Sequence, residues 1–144
     1  MGIYLNPDSN QYERLCNSPI FVDKSLLIEY TNKAINTSND CICVTRPRRF
    51  GKSTDANMLV AYYSKGTNSK DLFNSLNIGS RFTFLEHLNK HNVIHLNIQD
   101  FLSTTNSIDE MLSKINRMIL KDLKFEFKDV ITETEIIDAF NEVY

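Results

Sequence analysis

The residues with the clearest chemical potential form one short basic segment, residues 46–53, which we call the basic loop. It ends in Gly51, Lys52 and Ser53, the last three positions of the phosphate-binding pattern G-x-x-x-x-G-K-[ST]. In that chemistry the glycine lets the backbone approach phosphate oxygens. The lysine adds a positive charge at the β- and γ-phosphates, and the hydroxyl binds Mg²⁺. The pattern predicts nucleotide binding, with ATP and Mg²⁺ as the expected ligands.

The first glycine of the pattern is absent, because Arg46 stands in its place. Pro47 fixes its own φ and favours an extended Arg46, so we expect a rigid exit from a preceding strand. The N–H groups that follow can gather around an anion at a helix start, where the helix dipole favours negative charge. We expect the nucleotide to contact Arg48, Arg49, Phe50, Gly51, Lys52, Ser53 and Thr54. Ser53 is also expected to bind Mg²⁺.

The charge of the basic loop allows a second interpretation. Four cations lie within seven residues, Arg46, Arg48, Arg49 and Lys52, and a local basic patch is also typical of nucleic-acid binding. The whole chain, however, carries a formal net charge of −2. A triphosphate, with about four negative charges, matches a local basic loop without a polymer. Nucleotide phosphate is the favoured ligand, and nucleic acid remains the alternative.

Three histidines, His87, His91 and His95, are spaced by four residues. On one helix they would form a metal-binding face. The chain from Asn92 onward has a strand pattern, which breaks that alignment, so we expect no metal site. No Ser-His-Asp or Cys-His arrangement is recognisable, and nucleophilic catalysis is therefore not expected.

The pattern of apolar residues predicts the strands that would position the basic loop. Residues 41–45 form a short, apolar, β-branched run bounded by turn formers, which is typical of a buried strand. Cys41 and Cys43 would share one face of that strand as small buried hydrophobes. A second strand is predicted over residues 93–98, and residues 20–22 form a shorter strand-like run.

Helical spacing of apolar residues predicts the remaining elements. One helix is expected over residues 24–36 with Asp23 as its N-cap, and another over residues 52–65, ended by Gly66. Two short helices are expected between Gly66 and Asn92, the first with the apolar residues Leu72, Phe73 and Leu76 and the second with Phe84, Leu85 and Leu88. Two capping boxes, Ser107 to Glu110 and Thr132 to Glu135, predict a long helix and a last helix that reaches Tyr144.

This order of elements predicts an α/β chain: a partial P-loop NTPase fold with a short parallel sheet, helical crossovers and many helices. Two or three strands make a poor sheet for six helices, and no Gly, Pro or polar tail closes the last helix. We therefore expect residues 1–144 to be the N-terminal portion of an incomplete domain.

The bulk composition places the chain among ordinary globular proteins, with 144 residues, 42% hydrophobic and 24% charged. No apolar run approaches the ~20 residues of a membrane helix. The N-terminus lacks the basic and apolar regions of a secretory signal. Three cysteines, an odd number, favour reduced thiols. A cytoplasmic location is expected.

Several strings resemble the bacterial AAA-ATPase-like family: FVDKS at 21–25, RPRRFGKS at 46–53, and VIHLNIQDF at 93–101. The resemblance covers nearly the whole chain. It implies a P-loop domain that binds ATP, often followed by a nuclease-like domain of the PD-(D/E)xK type. The variant first position of the basic loop is usual in that family. The resemblance implies that Lys52 and Ser53 keep their roles in binding phosphate and Mg²⁺. Possible partners are nucleic acid, through that further domain, and a second copy of the chain.

The resemblance supplies no catalytic acid. A P-loop ATPase needs a strand ending in Asp to hold Mg²⁺, and in the family that acid lies beyond Tyr144. Asp100 follows residues 93–98, but polar residues interrupt that strand. Two hypotheses remain: the N-terminal part of an ATPase, or a truncated, non-catalytic interaction module.

Overall fold

The computed structural model describes residues 2–128, 130–132 and 134–143, and it is rich in helix. The chain divides into two compact units, which we call the loop unit (Asp8–Asn92) and the long-helix unit (Met1–Pro7 with Val93–Tyr144). Within the described residues, no helix is long and apolar enough to cross a membrane. In chain order the helices are α1 (Asn10–Cys16), α2 (Leu26–Ala34), α3 (Lys52–Tyr63), α4 (Lys70–Asn74), the 3₁₀ helix η1 (Asn77–Ser80), α5 (Ile98–Leu102), α6 (Ile108–Glu126) and α7 (Ile136–Val143).

The predicted α/β class, a partial P-loop NTPase fold with a short parallel sheet, is wrong for the residues that the structure describes. No strand or sheet forms among them. Their β pairing is limited to two isolated bridges, Leu5 with Ile94 and Ser64 with His91. Helices contact one another instead: α1 lies against α3, α2 against η1, and α6 against α7.

Residues 41–45 show why an apolar pattern did not produce a strand. All five residues are exposed, and no backbone hydrogen bond joins them to another described segment. A strand needs a partner for its N–H and C=O groups. A β-branched composition indicates only that the side chains favour burial, and it does not supply that partner. Cys41 and Cys43, predicted to be buried, are exposed as a result.

Residues 93–98 also fail to form the predicted strand. The N–H of His95 donates to the carbonyl of Tyr4 at 2.9 Å, and the N–H of Asn6 donates to the carbonyl of Val93 at 2.8 Å. This antiparallel contact is short because α5 begins at once, with the Asn97 side chain accepting the N–H of Gln99 at 3.3 Å. Residues 20–22 form no strand either.

The loop unit is built around α3, whose buried face packs with residues of α1, α2, α4 and η1. The hydroxyl of Tyr62 on α3 accepts a hydrogen bond from the Asn32 amide at 3.1 Å and donates to the carbonyl of Phe84 at 2.7 Å. These bonds join α2, α3 and the turn after η1. The apolar core comprises Tyr12, Ile28, Met58, Ala61, Tyr62, Phe73, Ile78 and Phe84.

The long-helix unit is built on α6. Its buried residues Ile115, Ile119 and Leu123 recur every four positions and form one apolar stripe. Ser107 caps the helix as predicted, its hydroxyl accepting the N–H of Glu110 at 3.1 Å. The other buried members of this core are Leu5, Phe101, Ile131 and Ala139.

The helix predictions were more accurate than the strand predictions, although α1 and α5 were not predicted. α3 begins at Lys52 as predicted and ends two residues early, while α2 begins at Leu26 with Ser25, not Asp23, as its N-cap. The first short helix is confirmed as α4, but residues 81–89 form turns in place of the second. α7 begins at Ile136, after the predicted capping box; Glu133 of that box lies outside the described residues.

Candidate phosphate-binding site

The basic loop leads into α3, and the first turn of α3 carries several predicted site residues. Gly51 is the N-cap, and Lys52 is the first helical residue. Met58, Ala61 and Tyr62 bury the middle of α3 in the core of the loop unit. The first turn of α3 therefore lies at the surface, although the helix to which it belongs is held in the core.

The start of α3 presents backbone N–H groups that lack partners. Helical hydrogen bonding begins with the N–H of Asp55, which donates to the carbonyl of Gly51 at 2.8 Å. Among the described residues, no acceptor binds the N–H groups of Lys52, Ser53 or Thr54. Because free N–H groups and the helix dipole both favour negative charge, this turn is suited to an anion such as phosphate.

Two residues of the basic loop have left-handed backbone conformations, Arg49 with φ 68° and Gly51 with φ 80°. Glycine adopts this conformation freely, whereas a side chain there costs about 1–2 kcal/mol. Turns that include left-handed residues point successive N–H groups toward one side, as anion-binding nests do. The backbone conformation at position 51 therefore favours the glycine that the sequence pattern singled out.

Lys52 connects the two ends of the basic loop. Its ammonium Nζ donates to the carbonyl of Arg46 at 2.6 Å and lies 3.5 Å from the carbonyl of Pro47. The side chain is exposed. An ammonium has three donors, so these contacts leave one for a further acceptor at the surface of the loop.

The three arginines of the basic loop and Phe50 are all exposed, and the Phe50 side chain is 60% exposed. None of the ion pairs found between described residues includes Arg46, Arg48 or Arg49. Their charges are therefore available to an anionic ligand. The structure brings Gly51, Lys52, Ser53 and Thr54 together at the helix start, but it places the arginine side chains in solvent.

A residue that the motif did not include also contacts the basic loop. Lys24 Nζ donates to the carbonyl of Phe50 at 3.1 Å and pairs with Asp55 Oδ1 at 3.2 Å. The side chain of Asp55 is only 6% exposed, while that of Lys24 is 32% exposed. From the sequence, the FVDKS string allowed two interpretations of Lys24, a residue near the nucleotide or a solvated lysine, and neither predicted its contacts with Phe50 and Asp55.

The neighbours of Lys24 are fixed by hydrogen bonds to η1. Asp23 accepts the N–H of Ser25 at 2.8 Å and the N–H of Asn77 at 2.7 Å. Partial burial raises the pKa of Asp23, but the hydrogen bonds from Asn77 and Ser25 outweigh it and leave the pKa below its ordinary value. Ser25, fully buried, accepts the N–H of Ile78 at 3.0 Å. Lys24 therefore begins from an anchored backbone.

The protein groups available to a metal ion are few. No set of three or more His, Cys, Asp or Glu side chains that could hold a metal occurs within the described ranges. Ser53 is exposed and presents a hydroxyl at the helix start. Mg²⁺ commonly binds through substrate phosphates, one or two protein oxygens and water, so Ser53 fits it only together with a phosphate.

The histidines are only partly brought together. His87 Nδ1 and His91 Nε2 lie 3.0 Å apart, a hydrogen bond between the rings, and Glu86 lies 3.7 Å from His87 Nε2. His95 belongs to the other unit. Burial lowers the pKa of His91, and His87, Lys65 and Lys90 lower it further.

The chain was also compared with known protein families and proteins. A family model described as "Predicted AAA-ATPase" (AAA-ATPase_like) matches residues 10–144. The chain belongs to the AAA-ATPase-like family. The matched range includes the basic loop, α3 and Lys24, and the family description is consistent with nucleotide use at a coarse level. No curated protein and no solved structure matches the chain.

Proposed function

We propose that this member of the AAA-ATPase-like family binds ATP with Mg²⁺ through the basic loop. The observation that carries the proposal is the start of α3, where three backbone N–H groups without acceptors adjoin Lys52. Phosphate oxygens would accept these N–H groups, and Lys52 would add a charge-assisted hydrogen bond. The family description supports the same class of ligand.

The remaining residues of the basic loop have secondary roles in this proposal. Arg48 and Arg49 would contribute positive charge without direct packing, because both are exposed. Phe50 and Thr54 would flank the phosphates with their backbone. Ser53 would bind Mg²⁺ with its hydroxyl, alongside the phosphate oxygens.

The proposal is restricted to binding. Asp55 is the only acid in the first turn of α3, and it pairs with Lys24. Asp100 lies in α5 of the long-helix unit. No catalytic acid is assigned, and we expect negligible ATP turnover by the chain alone. Robust turnover that survives Asp100→Ala would show that a catalytic acid exists elsewhere.

Isothermal titration calorimetry with Mg-ATP tests the proposal. Lys52→Ala removes the charge and should raise Kd by at least about tenfold, the loss expected for one hydrogen bond to a charged group. Lys70→Ala is the matched control, since Lys70 is an exposed lysine of the same unit. Equal ATP affinity in wild type and Lys52→Ala would refute the assignment.

Nucleic acid is a second candidate ligand. Three exposed arginines beside an exposed Phe50 favour it, because cations with a free aromatic ring are typical of single-stranded nucleic-acid surfaces. Fluorescence anisotropy with a single-stranded DNA oligonucleotide distinguishes the two ligands. If DNA is the ligand, Arg48→Ala and Arg49→Ala should weaken binding more than Lys52→Ala does, and added salt should weaken it steeply.

A further inference from the structure

Lys24 lies where it can control the shape of the basic loop. Its ammonium Nζ donates to the carbonyl of Phe50, one residue before Gly51, and pairs with Asp55, four residues after Gly51. One side chain therefore contacts the chain on both sides of the turn that leads into α3. A charge-assisted hydrogen bond on one side and an ion pair on the other restrict the turn more than either contact alone.

The Asp55 carboxylate makes this contact more than a surface ion pair. Its side chain is only 6% exposed, and a carboxylate so little hydrated is strongly destabilised without a partner. Lys24 is the ion-pair partner found for it among the described residues. The pair therefore connects the partly exposed Lys24 to a buried carboxylate of α3.

The backbone on either side of Lys24 is also fixed. Asp23 accepts the N–H of Asn77, and Ser25 accepts the N–H of Ile78. With both neighbours bonded to η1, the Cα of Lys24 has little freedom, and its side chain extends toward the basic loop. The string Asp23-Lys24-Ser25 thus joins η1 to the start of α3.

Gly51 fits closely against Lys24. A Cβ atom added to Gly51 would lie 2.8 Å from Lys24 Nζ, nearer than real Cβ contacts allow. The glycine therefore provides two things at this position: a left-handed backbone, and the space that the ammonium occupies. The close approach agrees with the position of Nζ on the Phe50 carbonyl.

We infer that Lys24 is a positioning residue of the basic loop, holding Phe50 and Gly51 in the conformation that presents the N–H groups of α3 to phosphate. The inference deepens the proposed nucleotide binding and rests on it for its functional consequence. The conformational part does not depend on any ligand, because Lys24 contacts protein atoms on both sides of the turn.

The conformational part is tested by limited proteolysis without nucleotide. An arginine-specific protease should cut the Arg49–Phe50 bond of Lys24→Met at least about tenfold faster than that of wild type, since cleavage tracks opening of the turn. Lys33→Met is the matched control: Lys33 also forms an ion pair, with Glu29 at 3.2 Å, but it does not contact the basic loop. Unchanged cleavage in Lys24→Met would overturn the inference.

The functional part is tested by Mg-ATP titration of the same variants. Lys24→Met should raise Kd about tenfold, and Lys24→Arg, which keeps a cation able to bond Phe50 and Asp55, should restore most of the affinity. If Lys24→Met weakens binding but leaves cleavage unchanged, Lys24 contacts the ligand directly and the positioning role is wrong. If wild type binds ATP and Lys24→Met binds equally, the inference fails while the proposed function stands.

A second variant covers the case in which Lys24→Met does not fold, as judged by circular dichroism. Asp55→Asn keeps the size of the side chain and removes the charge that attracts Lys24, together with a favourable interaction with the dipole of α3. The inference requires faster cleavage at Arg49–Phe50 in this variant as well, and wild-type cleavage would overturn it. If wild type itself fails to bind ATP, the proposed function fails, whereas the cleavage assay still decides the role of Lys24.

Discussion

The ammonium of Lys52 lies 2.6 Å from the carbonyl oxygen of Arg46, so the first helical residue of α3 closes the basic loop on itself. The contact is made at the surface, between an exposed side chain and an exposed backbone. Groups that remain hydrated gain little from pairing, because water offers equivalent hydrogen bonds. The contact therefore shapes the loop without contributing much to folding.

Lys52→Ala should consequently separate binding from stability. We expect the free energy of unfolding to change by less than about 0.5 kcal/mol, as for other exposed substitutions, while nucleotide affinity falls. Urea denaturation followed by circular dichroism measures the first quantity. A loss of several kcal/mol would mean that Lys52 is part of the folded core, and the affinity result could not then be assigned to the phosphate contact.

Gly51→Ala should destabilise the protein for two reasons. The left-handed φ of 80° costs an alanine about 1 kcal/mol, and the new Cβ would displace the ammonium of Lys24. Gly66→Ala is a matched control, because Gly66 has the same φ of 80° with no atom within 4 Å of its added Cβ. Denaturant midpoints should show a larger loss for Gly51→Ala; equal losses would mean that Lys24 moves aside at no cost.

The helices that were predicted correctly, α3 and α6 among them, have local signals. The Ser107 cap lies next to the helix that it begins, and the long helix that it predicts is confirmed as α6. The start of α3 at Lys52 was likewise set by the adjacent Gly51. Such signals need no knowledge of the rest of the fold.

The strands were not predictable, because a strand depends on a partner elsewhere in the chain. The apolar residues 41–45 indicate a segment that favours being covered, but they do not specify what covers it. The same limit applies to the site. Lys52 was identified from its motif, whereas Lys24 contacts Phe50 from 26 positions away, and only the fold reveals the contact.

Asn89 should be among the polar residues most important for the stability of the loop unit. It has φ 54°, its amide lies 2.8 Å from Thr67 Oγ1 and 3.2 Å from the carbonyl of Ala61, and its Oδ1 accepts the N–H of Ser69 at 3.1 Å. These contacts bind the end of α3 to the segment that follows. Asn89→Ala should lower the free energy of unfolding by about 1–3 kcal/mol, the cost of leaving such groups without partners.

Two further variants check the role of Asn89. Asn89→Asp keeps the acceptor but removes both amide donors, so it should also destabilise the protein. Asn68→Ala, at an exposed position in the same segment, should have little effect. Urea midpoints that do not differ among wild type, Asn89→Ala and Asn68→Ala would contradict the prediction.

The stability of the loop unit should fall in mild acid because of His91. Burial, and then the charges of His87, Lys65 and Lys90, lower the pKa of His91 in the folded protein below the ordinary 6.5. The unfolded chain therefore binds more protons than the folded chain once pH falls below about 6.5. The contribution of neutral His91 to the free energy of unfolding is complete above that pH. It is lost progressively as the pH falls toward the lowered pKa of the folded protein.

The geometry around His91 explains what protonation would disturb. Its Nε2 shares a hydrogen bond with His87 Nδ1 at 3.0 Å, which two protonated rings cannot form, and its backbone N–H donates to the carbonyl of Tyr63 at the end of α3. Urea midpoints at pH 7.5 and 5.5 should differ more for wild type than for His91→Gln, which cannot titrate. An equal pH dependence in both proteins would assign the acid sensitivity to other groups, such as the carboxylates.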